Sequence, residues 1–397
     1  MRIGVFVDAY EPHTSGVTTS VNMLKMTLEN MGHTVYIVTA NLVNNKFIYD
    51  EENRIIWLPG IKLGLYDFKL TSFYSPRAMK IIKTWNLDII HSQTEFAVGH
   101  FSRTVAKKLG LPVVHTYHTL YEDYVYYITH GHFDNFAKKM AINLTKKYCD
   151  KTCDQCIVPT KKIKDLFINK YGITKNLNVI PTGIDTDKFI VTPEKEKKIQ
   201  AIKKKYKISD DDFVIGAVGR IAKEKSFDRM ITAAYELAKI NPKIKVFIVG
   251  GGPDLENIQE LVKNLHAEKS VILTGKVDYS EVDLYYHVMN VMCSFSSTET
   301  QGLTIIEGLA CSIPIVCLND DSFKVTIESG YNGYLFDTDE QFREQIGNLI
   351  ANKKEYKEMC KNAKNSIYIY TKEVFGSELL KVYSKAKKVY EEEKKSK

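Results

Sequence analysis

Val291-Met292-Cys293-Ser294-Phe295, then Ser297-Thr298-Glu299-Thr300-Gln301-Gly302, then Leu303-Thr304-Ile305-Ile306-Glu307-Gly308-Leu309-Ala310, reads as buried strand, polar turn and buried helix. That order is the repeating unit of a parallel sheet covered by helices. If the helix starts near Gly302, its first unbonded N–H groups point out of the turn and make an anion site. Glu299 then stands at the mouth of that site, and Glu307 lies over a turn further along. Two acceptors flanking an anion site suit a ligand with a phosphate in the middle and hydroxyls at both ends, as in a nucleotide sugar. On spacing alone, the same letters also fit an ordinary strand–loop–helix unit with two solvated glutamates.

Outward from that stretch, the second half alternates strands with helices. Strands are expected at Phe213–Val218, Lys245–Val249, Val271–Leu273, Val291–Ser294, Pro314–Cys317 and Tyr334–Phe336. Helices are expected at Ser226–Ile240, Leu255–Leu265, Tyr279–Tyr286 and Leu303–Cys311, with a helical tail from Asp339 to the end. The first half alternates too, with strands at Arg2–Val7, Val35–Thr39, Ile55–Leu58, Asp88–His91, Val113–Tyr117, Gln155–Val158 and Asn178–Ile180. Helical patterns fill Thr18–Met31, Pro76–Trp85, Val98–Leu109 and Asn135–Tyr148. Pro181-Thr182-Gly183-Ile184-Asp185 interrupts the pattern. The fold class is therefore α/β, with two Rossmann-like units: 1–185, 186–370, and a helical tail 371–397 that can cross back to the first unit. Ligands of open parallel sheets bind at the carboxyl ends of the strands, so a shared site is expected in a cleft between the units.

At 397 residues the chain is longer than one core usually serves. Its 44% hydrophobic and 26% charged residues are ordinary for a globular protein. No apolar run approaches a bilayer span. Met1-Arg2-Ile3-Gly4-Val5-Phe6-Val7-Asp8 reads as a first strand rather than a signal peptide, so a cytoplasmic location is expected. The net charge of +7 gathers in lysine clusters that suit nucleic acid or an anionic lipid surface, although for most individual lysines a solvated helix face is the plainer reading.

Two loops in the second half carry phosphate-type chemistry. Strand 213–218 runs into Gly219-Arg220-Ile221-Ala222-Lys223-Glu224-Lys225, where Arg220 offers a planar fork and Lys225 a point charge for a diphosphate. Val249-Gly250-Gly251-Gly252-Pro253 is a backbone-permissive turn. Neither is G-x-G-x-x-G, which weighs against a nicotinamide enzyme. In the first half, Gly16 opens a helix after the first strand and allows close backbone approach. His115-Thr116-Tyr117-His118-Thr119 puts His118 near the carboxyl end of the fifth strand, where it can donate a hydrogen bond.

Metal chemistry is not expected. Cys149, Cys153 and Cys156 have the C-x3-C-x2-C spacing of a radical iron–sulfur site, but they straddle a helix end and an apolar strand rather than an open loop, so reduced thiols at a packed junction are expected. His130-Gly131-His132 lacks further ligands. Asp185-Thr186-Asp187 and Asp337-Thr338-Asp339 match the metal-binding Asp-x-Asp in letters only.

Taken in order, Ser15-Gly16, His118, Pro181-Thr182-Gly183-Ile184-Asp185, Gly219-Arg220 with Lys225, Gly250-Gly251-Gly252-Pro253, and Glu299 with Glu307 resemble the family-4 retaining glycosyltransferases of GT-B fold, over almost the whole chain. The resemblance implies that Arg220 and Lys225 grip a diphosphate, with Gly16 and the backbone of Gly302 and Leu303 nearby. It implies that Glu299 holds hydroxyls of the transferred sugar, Glu307 the ribose, and His118 the sugar near the reacting carbon. It implies a UDP-sugar donor, no tightly bound cofactor and no metal ion for the leaving group.

Tyr117-His118-Thr119-Leu120-Tyr121-Glu122-Asp123-Tyr124, with Asp88-Ile89-Ile90-His91-Ser92-Gln93-Thr94-Glu95-Phe96 before it, looks more narrowly like the bacterial 1,2-diacylglycerol 3-glucosyltransferases. That likeness implies UDP-glucose, diacylglycerol and an anionic membrane surface as partners, with peripheral attachment to the inner face of the cell membrane. The stretch 63–85 mixes Leu65, Tyr66, Phe68, Phe73, Tyr74, Ile81, Ile82 and Trp85 with Lys69, Arg77, Lys80 and Lys83. The stretch 136–151 adds Phe136, Lys138, Lys139, Lys146 and Lys147. Each basic residue near an anionic bilayer is worth about 1 kcal/mol, so five or so would hold the enzyme reversibly. Ordinary amphipathic core helices are the plainer reading of the same residues. Left open by the residues are a same-family transferase with a soluble or polyprenyl-linked glycan acceptor, an epimerase and a silent membrane adaptor.

Overall fold

In a computed structural model, the described residues are all but 14, 63–68, 121–133, 175 and 397, with the side chains of 62 and 134–137 also left aside. The chain divides into two compact units. The first comprises Met1–Gly183 and Lys372–Lys397, and the second Ile184–Thr371.

The first unit contains β1 (Arg2–Val7), β2 (Thr34–Ala40), β3 (Ile48–Asp50), β4 (Ile55–Leu58), β5 (Gly60–Lys62), β6 (Lys69–Thr71), β7 (Ile89–Ser92), β8 (Val113–Thr116), β9 (Gln155–Val158) and β10 (Leu177–Val179). Eight of them form one sheet in the order β10-β9-β8-β7-β1-β2-β4-β3, parallel except for the β3–β4 edge, and β5 pairs antiparallel with β6. β1, β7 and β8 are buried on both faces, which is why they read as unbroken apolar runs rather than alternating ones. The last helix, Lys372–Lys395, belongs to this unit and packs Phe375, Leu379, Val382, Tyr383 and Ala386 onto the sheet.

The second unit contains β11 (Phe213–Val218), β12 (Ile244–Val249), β13 (Val271–Leu273), β14 (Val291–Ser294), β15 (Ile315–Leu318) and β16 (Gly333–Phe336), all parallel. Their order, β13-β12-β11-β14-β15-β16, is the doubly wound Rossmann order with its reversal between β11 and β14. Apolar layers on the two faces bury Phe247, Met292, Ile305 and Leu309 on one side and Ile215, Ile248, Cys293 and Phe342 on the other.

Local chemistry shifts several boundaries. Ser15 caps the first helix from outside by accepting from the Thr18 amide, so the helix begins at Gly16. Asp278 accepts from the Ser280 amide and forces a 3-10 turn, Tyr279–Glu281, before the Val282–Tyr286 helix. The helical tail is three helices, Asp339–Ala351, Lys353–Asn365 and Lys372–Lys395, because Asn352 leaves helical geometry to cap its successor and Tyr368–Tyr370 tightens into a 3-10 turn. The three-residue strands β3, β5 and β6 are too short to show a period.

Candidate active site

In the second unit, the loops that follow β11 and β14 emerge side by side at the reversal point of the sheet. Lys225 leaves the first loop and its Nζ donates to Glu299 Oε1 in the second at 2.5 Å. The pair is partly open to solvent, with side-chain exposures of 23% and 19%. An ammonium has three donors, so Lys225 can hold Glu299 and a phosphate oxygen together. Arg220 is tied within its own loop to Glu224. Its planar guanidinium, with five N–H donors, is of the type that grips a diphosphate.

Gly302 is the last residue before the Leu303–Ala310 helix and sits at φ 75°, in the left-handed region. A Cβ there would lie 2.8 Å from the Phe323 ring. Glycine is required on both counts, and the helix opens at the turn it makes, where the Ile305 amide donates to the Gly302 carbonyl at 3.0 Å and the Leu303 and Thr304 amides precede it. The triple glycine allows close backbone approach to the Arg220 loop. A Cβ on Gly250 would fall 1.9 Å from the Gly219 carbonyl, and one on Gly252 would fall 2.2 Å from the Ile221 carbonyl. The Ile221 amide donates to Gly251 O at 3.0 Å. This turn therefore holds the Arg220 loop in place by backbone contact.

Glu307 is buried, and its Oε2 accepts from Tyr286 Oη at 2.6 Å. Burial raises its pKa, and the Tyr286 hydrogen bond and the nearby Lys188 pull it back down. Glu299 and Glu307 thus occupy different environments, one ion-paired and half open, the other enclosed. Sequence reasoning missed Tyr286 and Glu224. Both are polar residues at helix or loop positions with no local pattern to mark them.

In the first unit, the loops after β1 and β7 meet at the corresponding reversal point. Asp8 joins them: its carboxylate accepts from Thr94 Oγ1 and, at 3.3 Å, from the Val98 amide. Burial raises its pKa to about 7. Gly16 opens the first helix, and a Cβ built on it would meet nothing within 4 Å. His118 lies two residues past the end of β8, and its Nε2 donates to Gln93 Oε1. Burial lowers its pKa to about 4, so the ring is neutral near pH 7. Gln93 Nε2 in turn donates to His91 Nε2 at 3.1 Å, and His91 Nδ1 meets Tyr383 Oη at 2.7 Å. The final helix, through Tyr383, thus orients the histidine network. His115, the other histidine of that strand, is fully buried and pairs through Nε2 with Glu95 Oε1 at 2.8 Å.

Two residues expected on a membrane face lie inside. Trp85 is buried and stacks on Tyr36 at 4.7 Å, because it falls one helical turn beyond the buried Ile82. Lys69 is buried, its ammonium donating to the Asn41 and Asn44 carbonyls at 2.9 and 3.2 Å. Arg77, Lys80 and Lys83 are exposed on the Pro76–Thr84 helix, and Phe73, 57% exposed, precedes it. Lys138, Lys139 and Lys147 are exposed and Lys146 is half-buried, while Met140 adds an exposed apolar side chain. Leu65, Tyr66, Phe68, Tyr121, Glu122, Asp123, Tyr124, the His130-Gly131-His132 stretch and the Phe136 side chain fall outside the described residues.

Residues 14–188 match the sequence model of the family described as Glycosyltransferase Family 4, and residues 198–366 that described as Glycosyl transferases group 1. The chain is 37% identical to alpha-monoglucosyldiacylglycerol synthase of Acholeplasma laidlawii, covering 96% of both chains. It is 36% identical to the protein of that name from Streptococcus pneumoniae, over 80% of this chain and 70% of the other. Among solved structures, Anabaena HepE in complex with UDP and glucose superposes with a TM-score of 0.74 at 17% identity, over 97% of this chain and 99% of that one.

Proposed function

Because the chain belongs to the family-4 glycosyltransferases of GT-B fold, we propose that it moves glucose from UDP-glucose to the 3-hydroxyl of 1,2-diacylglycerol, with retention at the anomeric carbon. The observation that carries this reading is that the 37% identity to a glucosyldiacylglycerol synthase runs through both units. The donor motifs belong to the second unit, so likeness confined to it would leave the acceptor unnamed. Likeness across the first unit extends to the half that contains His118 and the exposed basic helix.

The barrier is the separation of a diphosphate from an oxocarbenium-like sugar. Fixed positive charge aimed at the leaving oxygens lowers it, because that charge develops only in the transition state. Lys225, Arg220 and the N–H groups opening the Leu303–Ala310 helix supply it in this reading. Glu299 holds the sugar hydroxyls while steadying Lys225, and Glu307 holds the ribose. His118, kept neutral, donates to or accepts from a sugar hydroxyl without adding a competing charge. The leaving phosphate takes the acceptor's proton.

No helix among the described residues is long and apolar enough to cross a membrane. Peripheral docking on the inner face of the cell membrane, through Arg77, Lys80 and Lys83 beside Phe73, fits a lipid acceptor.

The test is to incubate the protein with several UDP-sugars, with and without vesicles containing diacylglycerol, and to identify the product by mass spectrometry. A glucosyldiacylglycerol made only when both partners are present is the expected result. Equal or faster transfer to a soluble or polyprenyl-linked glycan would overturn the acceptor assignment while leaving the family intact.

A further inference from the structure

Cys149 and Cys156 are buried and Cys153 is half-buried at one junction of the first unit. Cys156 shares thiol hydrogen bonds with Cys149 and with Cys153, and all three are free. β8 and β9 run parallel with His115 directly opposite Cys156, so the two side chains project from the same face of the sheet. Tyr117, Cys149 and Val158 pack over that face, with Cys153 at its border. Ligand atoms of Glu95, His115 and Cys149 lie within 4.8 Å of one another.

His115 supplies the second observation. Its ring is fully buried, its Nε2 is on the Glu95 carboxylate, and its Nδ1 is buried with no hydrogen-bond partner. With Nε2–H donated to Glu95, Nδ1 presents a lone pair, and an unsatisfied buried acceptor costs about 1–3 kcal/mol. An imidazole with a carboxylate on one nitrogen and an open lone pair on the other has the arrangement of a metal-bound histidine whose second-shell partner is in place.

We propose that Cys149, Cys153, Cys156 and His115 Nδ1 bind one Zn2+ ion in a closed tetrahedral site, with Glu95 orienting the imidazole. Binding releases the three thiol protons to solvent and forms three Zn–S bonds and one Zn–N bond. Ligand atoms around tetrahedral zinc stand roughly 3.6 Å apart, so the thiols of Cys153 and Cys156, which are not part of the 4.8 Å group of Glu95, His115 and Cys149, move inward on binding. Three thiolates and one Zn2+ leave one surplus negative charge. Arg103 sits against Cys153, Cys149 and Glu95 to offset it, held by the carbonyls of Gly99 and Tyr148 at 3.3 Å. Burial raises the pKa of the Cys149 and Cys156 thiols, and the hydrogen bond with Cys156, followed by burial, raises that of Cys153. With four protein ligands and no open position, the ion is structural. It clamps the 147–153 turn to the end of β8, three residues before His118. This reverses the expectation that the chain holds no metal.

The experiment uses the full chain. After incubation with ZnCl2 and dialysis, elemental analysis should find about one zinc per chain. Co2+ in its place should give the thiolate charge-transfer and d–d bands of a tetrahedral site. Cys149→Ser and Cys153→Ser should abolish those bands, whereas Cys360→Ser, in a helix of the second unit, should keep them. Glu95→Gln should weaken zinc binding by about 10- to 100-fold. Wild-type protein that retains no zinc above a buffer control and gives no cobalt bands would overturn the site, and this measurement needs no variant to fold. Cobalt bands that persist in both serine variants would also overturn it.

Discussion

In the first unit Asp8 crosses the reversal point of the sheet from the end of β1 to Thr94 and the Val98 amide. In the second unit Lys225 crosses the equivalent point to Glu299 in the loop after β14. The place is the same in both sheets, but the chemistry is opposite. Asp8 is 5% exposed, its partners are neutral, and it holds its proton to about pH 7. The Lys225–Glu299 pair is charged and partly solvated. A seam of the first kind closes a loop junction permanently. A seam of the second kind holds its loops while keeping donors that a ligand anion can share. In this comparison the second unit has the groups proposed to hold the donor at the reversal point. The first unit has a structural bond there, and its polar chemistry sits one strand over, around His118 and His115.

The sharpest way to break that comparison is through pH. The folded pKa of Asp8 is raised, so the folded chain keeps a proton that the unfolded chain has already lost. Below pH 3.8 both states are protonated. Between 3.8 and about 7 the folded state binds more protons, so stability falls as pH rises, and above about 7 the loss is complete. The full shift corresponds to about 4 kcal/mol. Both tryptophans, Trp57 and Trp85, lie in the first unit, so tryptophan fluorescence during urea unfolding reports that unit alone. Asp8→Asn should flatten the difference between pH 5 and pH 8 relative to wild type. Identical pH slopes in the two proteins would show that Asp8 is already ionised, and the contrast with Lys225 would collapse.

Lys225→Ala probes the other seam. Turnover should fall by about 100- to 1000-fold, the range for losing one charge-stabilising donor in a transition state. Stability should change by less than about 1 kcal/mol, because the pair is partly exposed. A variant with near wild-type turnover of UDP-glucose would make the pair structural, like Asp8.

What the chain made legible follows from the same difference. Gly219-Arg220, Lys225 and the Glu299–Glu307 stretch stand out because each breaks an apolar strand pattern with a glycine and a charge. Their pairing does not stand out, since Lys225 and Glu299 are 74 residues apart and only the strand order brings β11 beside β14. Asp8 carries the same kind of signal, a carboxylate closing an apolar strand, without a glycine beside it. The surface of the first unit was read by composition where phase was needed. Ala78, Met79 and Ile82 are the buried face of the Pro76–Thr84 helix, and Trp85 continues that face three residues on. Lys69 was hidden for another reason: a three-residue strand has no period to say which face it turns inward.

Exposure now separates the cations that can meet a bilayer from those that cannot. Replacing Arg77, Lys80 and Lys83 together with Ser removes three surface charges at about 1 kcal/mol each, so partitioning onto anionic vesicles should drop by about 100-fold. Lys69 has no part in that loss, being buried against backbone carbonyls. Co-sedimentation at low and moderate salt measures it. Binding by the triple variant that equals wild type, or that ignores salt, would move the docking surface elsewhere.

The smallest predicted effect tests the division within the second unit. Glu307 is enclosed, and Tyr286 Oη gives it a hydrogen bond at 2.6 Å, which favours the ionised carboxylate and fixes its direction. Tyr286→Phe removes that bond and leaves the ring's packing in place. A hydrogen bond to a charged group is worth about 1.5–3 kcal/mol, but Lys188 still favours the carboxylate, so roughly 1 kcal/mol should reach the ligand. UDP affinity measured by calorimetry should then weaken by about fivefold, and kcat at saturating UDP-glucose should stay within twofold. The split matters more than the size. If Glu307 holds the ribose, loosening it affects UDP and the UDP-sugar alike and spares the transition state. A Tyr286→Phe variant that binds UDP normally but turns over slowly would place Glu307 at the reacting sugar, beside Glu299, and the two carboxylates would no longer mark opposite ends of the donor.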